Sequence, residues 1–275
     1  MVFHTYSHQI FSKLFPGLLG MGILTAIIAY VKIDVLKLEG FSSIAVHSMM
    51  AFVLGLFLVF RTNTAYDRWW EGRKMWGSLV NNSRNMAFKV NAFVKDGNTR
   101  TFFRTAIPWY ARTIKEHLRQ GITSEDQREM EDDVKGMSEF AHKPNALVKE
   151  MYERVNLLYT NGGITGDQLF LLDKELKSLS DILGACERIR NTPIPYSYSM
   201  YLKKFIFLYT VTLPFGFVGT FGYWTIPVVM IIFYILVSIE LIAEEIEDPF
   251  GRDDNDLPTD VLCDKIRDNV EEILN

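Results

Sequence analysis

The side chains with the clearest chemical potential form a pattern in an apolar run. Phe52, Leu56 and Phe60 recur every four residues within 41–60, a stretch without Asp, Glu, Lys or Arg. On a helix that spacing stacks them in one nearly straight ridge. From the residues alone, packing against neighbouring helices or lipid is the better reading of such a ridge, ahead of lining a pore. A second group is acidic. Glu244, Glu245, Glu247 and Asp248 follow the last apolar run, and Asp253, Asp254 and Asp256 come soon after. Carboxylates at a helix C-terminus oppose its dipole, so they need cationic partners or a metal ion. His4 and His8 are four apart and could share a helix face as metal ligands. With no third ligand nearby, ordinary interfacial histidines explain them better. The polar run Asn81-Asn82-Ser83-Arg84-Asn85 could be a site, although a solvated helix face is commoner. No GxGxxG, GKS/GKT, HExxH or GxSxG motif is present, so no enzyme is expected. Cys186 and Cys263 sit in no CxxC pair and are expected to be reduced, structural thiols.

The elements that would position these groups follow from the distribution of charge. The 275 residues are 48% hydrophobic and 23% charged, with a net charge of −4 that argues against a nucleic-acid binder. Three runs hold no formal charge: 15–31, 41–60 and 205–239. Twenty helical residues span about 30 Å, the thickness of a bilayer's hydrocarbon core. The third run is too long for one ordinary crossing, and Pro214, Gly216, Gly219, Gly222 and Pro227 lie in its middle. It therefore divides into crossings at 205–221 and 223–239. The alternatives are long buried helices of a soluble protein and, for the first run, a cleaved signal peptide, which lacks a basic n-region beyond Lys13 and an A-x-A site.

Four crossings put both termini on one side, together with the stretch 61–204. Arg61, Arg68, Arg73 and Lys74 follow the second crossing, and Lys203 and Lys204 precede the third, whereas the charges of the loop 32–40 balance. That asymmetry places the middle region and both tails in the cytoplasm, in a multi-pass protein of the inner (plasma) membrane. The chain divides into 1–60 (first two crossings), 61–204 (cytoplasmic), 205–239 (last two crossings) and 240–275 (an acidic C-terminal segment).

The cytoplasmic part reads as helical throughout. Trp69, Met75, Trp76, Leu79, Val80, Met86 and Val90 are mostly three or four apart, and nothing between Phe60 and Arg68 breaks a helix. The second crossing is therefore expected to run on until Asp96-Gly97-Asn98. A helix over about 99–119 contains Pro108, and Thr123-Ser124 resembles a further start. Lys143-Pro144 reads as a break and Asn161-Gly162-Gly163 as a turn. Thr165–Arg190 forms a long helix with Leu169, Leu172, Leu176, Leu179, Leu183 and Cys186 on related faces, ended by Pro193 and Pro195. No alternating strand pattern and no fixed repeat occurs.

Three stretches carry a resemblance: FRTNTAYDRWW at 60–70, CERIRNTPIP at 186–195, and EEIEDPFG at 244–251 followed by DDNDLP at 253–258. With the four-crossing layout they resemble the bestrophin family in its bacterial branch, over nearly the whole chain. The resemblance implies an all-α membrane protein, with four transmembrane helices per subunit and a large helical cytoplasmic region. It also implies a homopentamer around one central pore, acting as an ion channel in a lipid bilayer on small inorganic ions. Aligned from Arg68-Trp69-Trp70, Phe52, Leu56 and Phe60 fall on the family's pore neck, which reverses the packing reading. A ring of Phe and Leu solvates no ion and can gate by expelling water. Gly55 beside Leu56 would let neighbouring helices approach closely.

The resemblance also implies a calcium clasp after PFG, with Asp253 and Asp256 at the spacing of its acidic ligands. Arg252 departs from the calcium-regulated pattern and lowers the local negative charge; the alternative is an acidic cap in salt bridges to Arg or Lys of a neighbouring subunit, and no cofactor is otherwise required. A second, cytoplasmic aperture falls on Asp167 by ungapped counting back from Ile194-Pro195, and a shift of a few residues would move it to Ile164 or Leu169. Both chloride and sodium or potassium remain open as the ion. Family membership and an Arg61 just below the neck favour anions. Asp67, Asp167 and the acidic balance lean slightly towards cations. A secondary transporter would normally show an inverted repeat or broken midplane helices, neither of which is visible, and a membrane-anchored signalling scaffold would need no continuous pore.

Overall fold

Charge-free runs of this length fold as helices because no water within a bilayer could satisfy an open backbone. A computed structural model describes residues 6–37, 44–119 and 142–275, and every regular element among them is helical. His4 and the predicted start at Thr123-Ser124 lie outside the described residues, as does the side chain of His8. The helices are α1 (Tyr6–Tyr30), α2 (Ile44–Phe93), α3 (Gly97–Arg119), α4 (Lys143–Thr160), α5 (Gly166–Asn191), α6 (Tyr196–Phe221), α7 (Thr225–Glu247) and α8 (Thr259–Leu274). Two compact units result, Met1–Arg68 with Pro193–Glu247, and Trp69–Thr192 with Asp248–Asn275. Helix α2 contributes its first half to one and its second half to the other.

The first unit is the apolar one. Three of its stretches are long and apolar enough to cross a membrane: Phe11–Val35, part of Ile44–Phe93, and Tyr196–Glu247. The last is divided by a 3-10 turn, Gly222–Trp224, whose first residue has φ +54°, a conformation glycine adopts without the Cβ penalty. Helix α7 packs against α1 and α6, and α1 also touches α6. Polar bonds mark the two ends of this bundle. At one, Lys32 Nζ donates to Phe215 O (3.1 Å), Tyr223 donates to the Asp34 carboxylate, and His47 Nε2 meets Thr212 O at 3.0 Å. At the other, Lys13 pairs with Glu245. Gly216 is required beside His47, since a Cβ there would come within 2.7 Å of the imidazole.

The second unit has a conventional core. Trp76, Phe103, Tyr110, Met151, Leu176 and Ile266 are buried in one apolar cluster from the end of α2, α3, α4, α5 and α8. Its helices start where their caps allow. Thr165 accepts from Gln168 N while Gln168 accepts from Thr165 N, a reciprocal capping box at the head of α5. Asp260 ties α8 to α3 through Lys115 and Arg119 (both 2.8 Å). Partial burial alone would raise the Asp260 carboxyl, but those two donors hold it down at about 2.

Cys186 and Cys263 are both free and buried in this unit, and burial pushes each thiol up to about 12. The reactive thiolate is then scarce at neutral pH. Ellman's reagent at pH 8 should therefore leave both cysteines of the folded protein unmodified over an hour and titrate both in denaturant; prompt reaction when folded would show that they are not core thiols.

Candidate functional site

Successive residues of an α-helix lie about 100° apart, so burial along α2 reports its rotation. Leu54, Leu58, Arg61 and Ala65 are each at most 5% exposed. By that geometry they fall within an arc of about 60°. Phe52, Leu56 and Phe60 lie on the opposite side and are 76%, 48% and 56% exposed, accompanied by Met49, Val53 and Val59. The three residues read as a ridge thus form one face that the subunit itself does not cover. Among the described residues, and leaving aside its own helix backbone and chain neighbours, nothing lies within 4 Å of a Cβ built on Gly55. One and two turns beyond Phe60 the same face carries Asn63 and Asp67, both exposed.

Arg61 fixes this rotation. Its side chain is 1% exposed, with Nη2 at 2.7 Å from Glu247 Oε2 and Nε at 3.6 Å from Glu240 Oε1. Glu247 does more than pair with it. Its Oε1 accepts from Ile194 N (2.8 Å), and its backbone carbonyl accepts from Arg68 Nε (3.1 Å). The stretches 60–70, 186–195 and 244–251 therefore converge on one carboxylate. The expectation that Arg61 faces the ion path is corrected: a guanidinium buried against two carboxylates of its own subunit lends no charge to a pore. The other acidic residues at the end of α7 also have cations in the same chain, Glu244 with Lys203 (2.8 Å) and Glu245 with Lys13 (3.6 Å).

In the second unit the C-terminal stretch wraps α2. Phe250 is 1% exposed and lies against Gly72, where a Cβ would meet its ring at 3.2 Å. Trp69 Nε1 donates to Asn255 O (2.9 Å), and Leu257 N to Pro249 O (2.9 Å). Asp253 and Asp256 come together, but by bonding each other: Asp253 N donates to Asp256 Oδ2 (2.6 Å) and Asp256 N to Asp253 O (3.0 Å). Calcium takes six to eight oxygens. Here a carboxylate oxygen and the Asn255 carbonyl are already engaged by N–H donors, and Arg252 adds positive charge. These hydrogen bonds close the stretch into a turn.

Asp167 stands in the first turn of α5 with its side chain exposed. Of the two alternatives, Ile164 is buried at 5% and Leu169 packs against the core. Sequence reasoning missed the two glycine contacts, Gly72 with Phe250 and Gly216 with His47. It also missed a convergence of His117, His142 and Glu187. Their separations in the chain carry no helical period, so no local spacing could have signalled it.

Removing one partner of a buried ion pair leaves the other charge stranded. Arg61→Ala and Glu247→Gln should each destabilise the protein by about 3–5 kcal/mol. Thermal unfolding in detergent measures this; a loss below about 1 kcal/mol would place the pair with weak surface bridges.

Comparison with known proteins gives consistent neighbours. The family model described as Bacterial/Fungal Bestrophin protein matches residues 1–272. A voltage-dependent anion channel-forming protein of Nostoc sp. is 40% identical over 232 residues, covering 80% of this chain and 74% of that one. Voltage-dependent anion channel-forming protein YneE of Escherichia coli (strain K12) is 32% identical over 227 residues, 82% of this chain and 74% of that one. The crystal structure of a bacterial bestrophin homolog from Klebsiella pneumoniae superposes with a TM-score of 0.86 at 26% identity, covering 94% of this chain and 98% of that one.

Proposed function

The chain belongs to the bacterial and fungal bestrophin family, a family of membrane ion channels and not of enzymes, and we propose that five copies of it surround one anion-conducting pore lined by α2. The observation that carries this reading is the uncovered face of α2. Phe52, Leu56 and Phe60 are exposed on it, and the same face continues into Asn63 and Asp67. A face turned to lipid could stay apolar throughout, and one packed on a neighbouring helix would not need Asp67. A face that begins as a dry constriction and opens into a wet vestibule needs both parts. Cyclic assembly of five such faces gives a closed ring. In this reading α1, the first half of α2, α6 and α7 are the four crossings, with the termini and the second unit cytoplasmic and the bilayer the inner (plasma) membrane.

Anions are favoured because both bacterial relatives are named as anion channel-forming proteins. A second reading, cation passage, has its own observation: Asp67 and Asp167 are exposed carboxylates, and fivefold repetition would turn each into a ring that concentrates cations. Arg61 supports neither, being spent on Glu240 and Glu247. The aperture role of Asp167 belongs to this second reading, and calcium to neither.

Planar-bilayer recording separates the two. In an asymmetric NaCl gradient the reversal potential should lie near that of chloride. A value near that of sodium would establish the cation reading, and Asp167→Ala should then move it towards chloride. Leu56→Ala or Phe60→Ala should raise single-channel conductance or open probability roughly twofold or more by wetting the neck. Native mass spectrometry of both variants should still give five subunits. Misassembly without added current would return the ridge to simple packing. Millimolar calcium should leave the currents unchanged; a calcium-dependent current would contradict the self-closed turn at Asp253 and Asp256.

A further inference from the structure

Three side chains far apart in sequence meet in the second unit. His117 lies in the last turn of α3, His142 is the residue capping the start of α4, and Glu187 lies near the end of α5. Both imidazole Nε2 atoms are 2.8 Å from the same oxygen, Glu187 Oε1. The two rings are 4.4 Å apart, and all three donor atoms lie within 4.8 Å of one another. A carboxylate only accepts, so both histidines spend an N–H on one oxygen while a lone pair of each ring points elsewhere. The side chains are 27–34% exposed, enough for an ion to enter and for water to complete its shell.

From this geometry we propose that His117, His142 and Glu187 form a binding site for a borderline divalent transition-metal ion, zinc first, with water in the fourth position. Two imidazoles and one carboxylate are a donor set that zinc takes with one open position, and imidazole also suits cobalt, nickel and copper. Calcium and magnesium prefer all-oxygen shells and are poor competitors. The fit requires a small movement. Tetrahedral ligands at about 2.0–2.1 Å from zinc sit about 3.3 Å apart, so Glu187 withdraws from each histidine by roughly half an ångström.

The fit also requires a tautomer change. His142 Nδ1 accepts from Asn145 N at a long 3.3 Å. Coordination through Nε2 moves the ring proton to Nδ1 and ends that cap bond. Metal binding therefore exchanges a weak helix cap for a bond joining the end of α3, the start of α4 and the end of α5. The site belongs to the second unit, and the proposal does not depend on the ion the channel conducts.

The test uses tag-free, full-length protein in detergent with zinc chloride and cobalt chloride as probes. Wild type should bind one zinc per subunit by calorimetry. Cobalt should give the visible absorption of a tetrahedral N/O site, bleached by zinc and unaffected by magnesium. His117→Ala and Glu187→Gln should each weaken zinc binding tenfold or more and abolish the cobalt spectrum, with the oligomer checked by native mass spectrometry. Should a variant not assemble, His142→Asn, on the exposed cap, reads out the same loss. Wild type without stoichiometric zinc, or variants that keep the cobalt spectrum, would overturn the proposal.

Discussion

The burial of the Arg61 guanidinium is the interaction on which the rest of the apolar unit turns. A charge at 1% exposure is tolerated only with partners, and Glu240 and Glu247 supply them from α7. Once Arg61 must point inward, Leu54, Leu58 and Ala65 follow by helical geometry, and Phe52, Leu56 and Phe60 must point outward. Glu247 also holds Ile194 and Arg68. One carboxylate therefore sets the rotation of α2, the entry to α6 and the exit from α7. That is the physical content shared by the three stretches that resemble bestrophins.

An apolar face left uncovered by its own subunit has two outlets, lipid and other copies of the chain. In the proposed channel, the continuation of this face into Asn63 and Asp67 favours other copies of the chain, since carboxylates are costly against lipid. The exposed apolar ridge and its polar continuation belong to one helix surface. The C-terminal stretch has a complementary part to play in the second unit. Phe250 against Gly72, with Trp69 bonded to Asn255, clamps the second half of α2, and the acidic loop closes on itself in doing so.

Much of this was legible in the sequence, for identifiable reasons. Charge-free length marked the apolar helices, and the absence of Gly or Pro between Phe60 and Arg68 marked α2 as running on past its crossing. The four-residue period of Phe52, Leu56 and Phe60 gave the ridge, although it could not say which way the ridge faced. That needed the partners of Arg61, which lie about 180 residues away in the chain. Hence Arg61 was misread as a pore charge: a basic residue after a crossing looks the same whether it faces water or a buried carboxylate. Cationic partners for Glu244, Glu245 and Glu247 were expected on a neighbouring subunit, whereas Lys203, Lys13 and Arg61 supply them within the same chain. Histidines at 117 and 142 with a glutamate at 187 share no period and no motif, so only the fold brings them together.

The central claim is that the face of α2 opposite Arg61 lines the conduction path. The most direct test is cysteine substitution along 52–60, followed by a charged methanethiosulfonate reagent applied during bilayer recording. The two native cysteines are buried and give little background. Phe52→Cys, Leu56→Cys and Phe60→Cys should each alter the current on modification, while Leu54→Cys and Leu58→Cys should not. Modification that changes current at 54 and 58 while sparing 52, 56 and 60 would contradict the account.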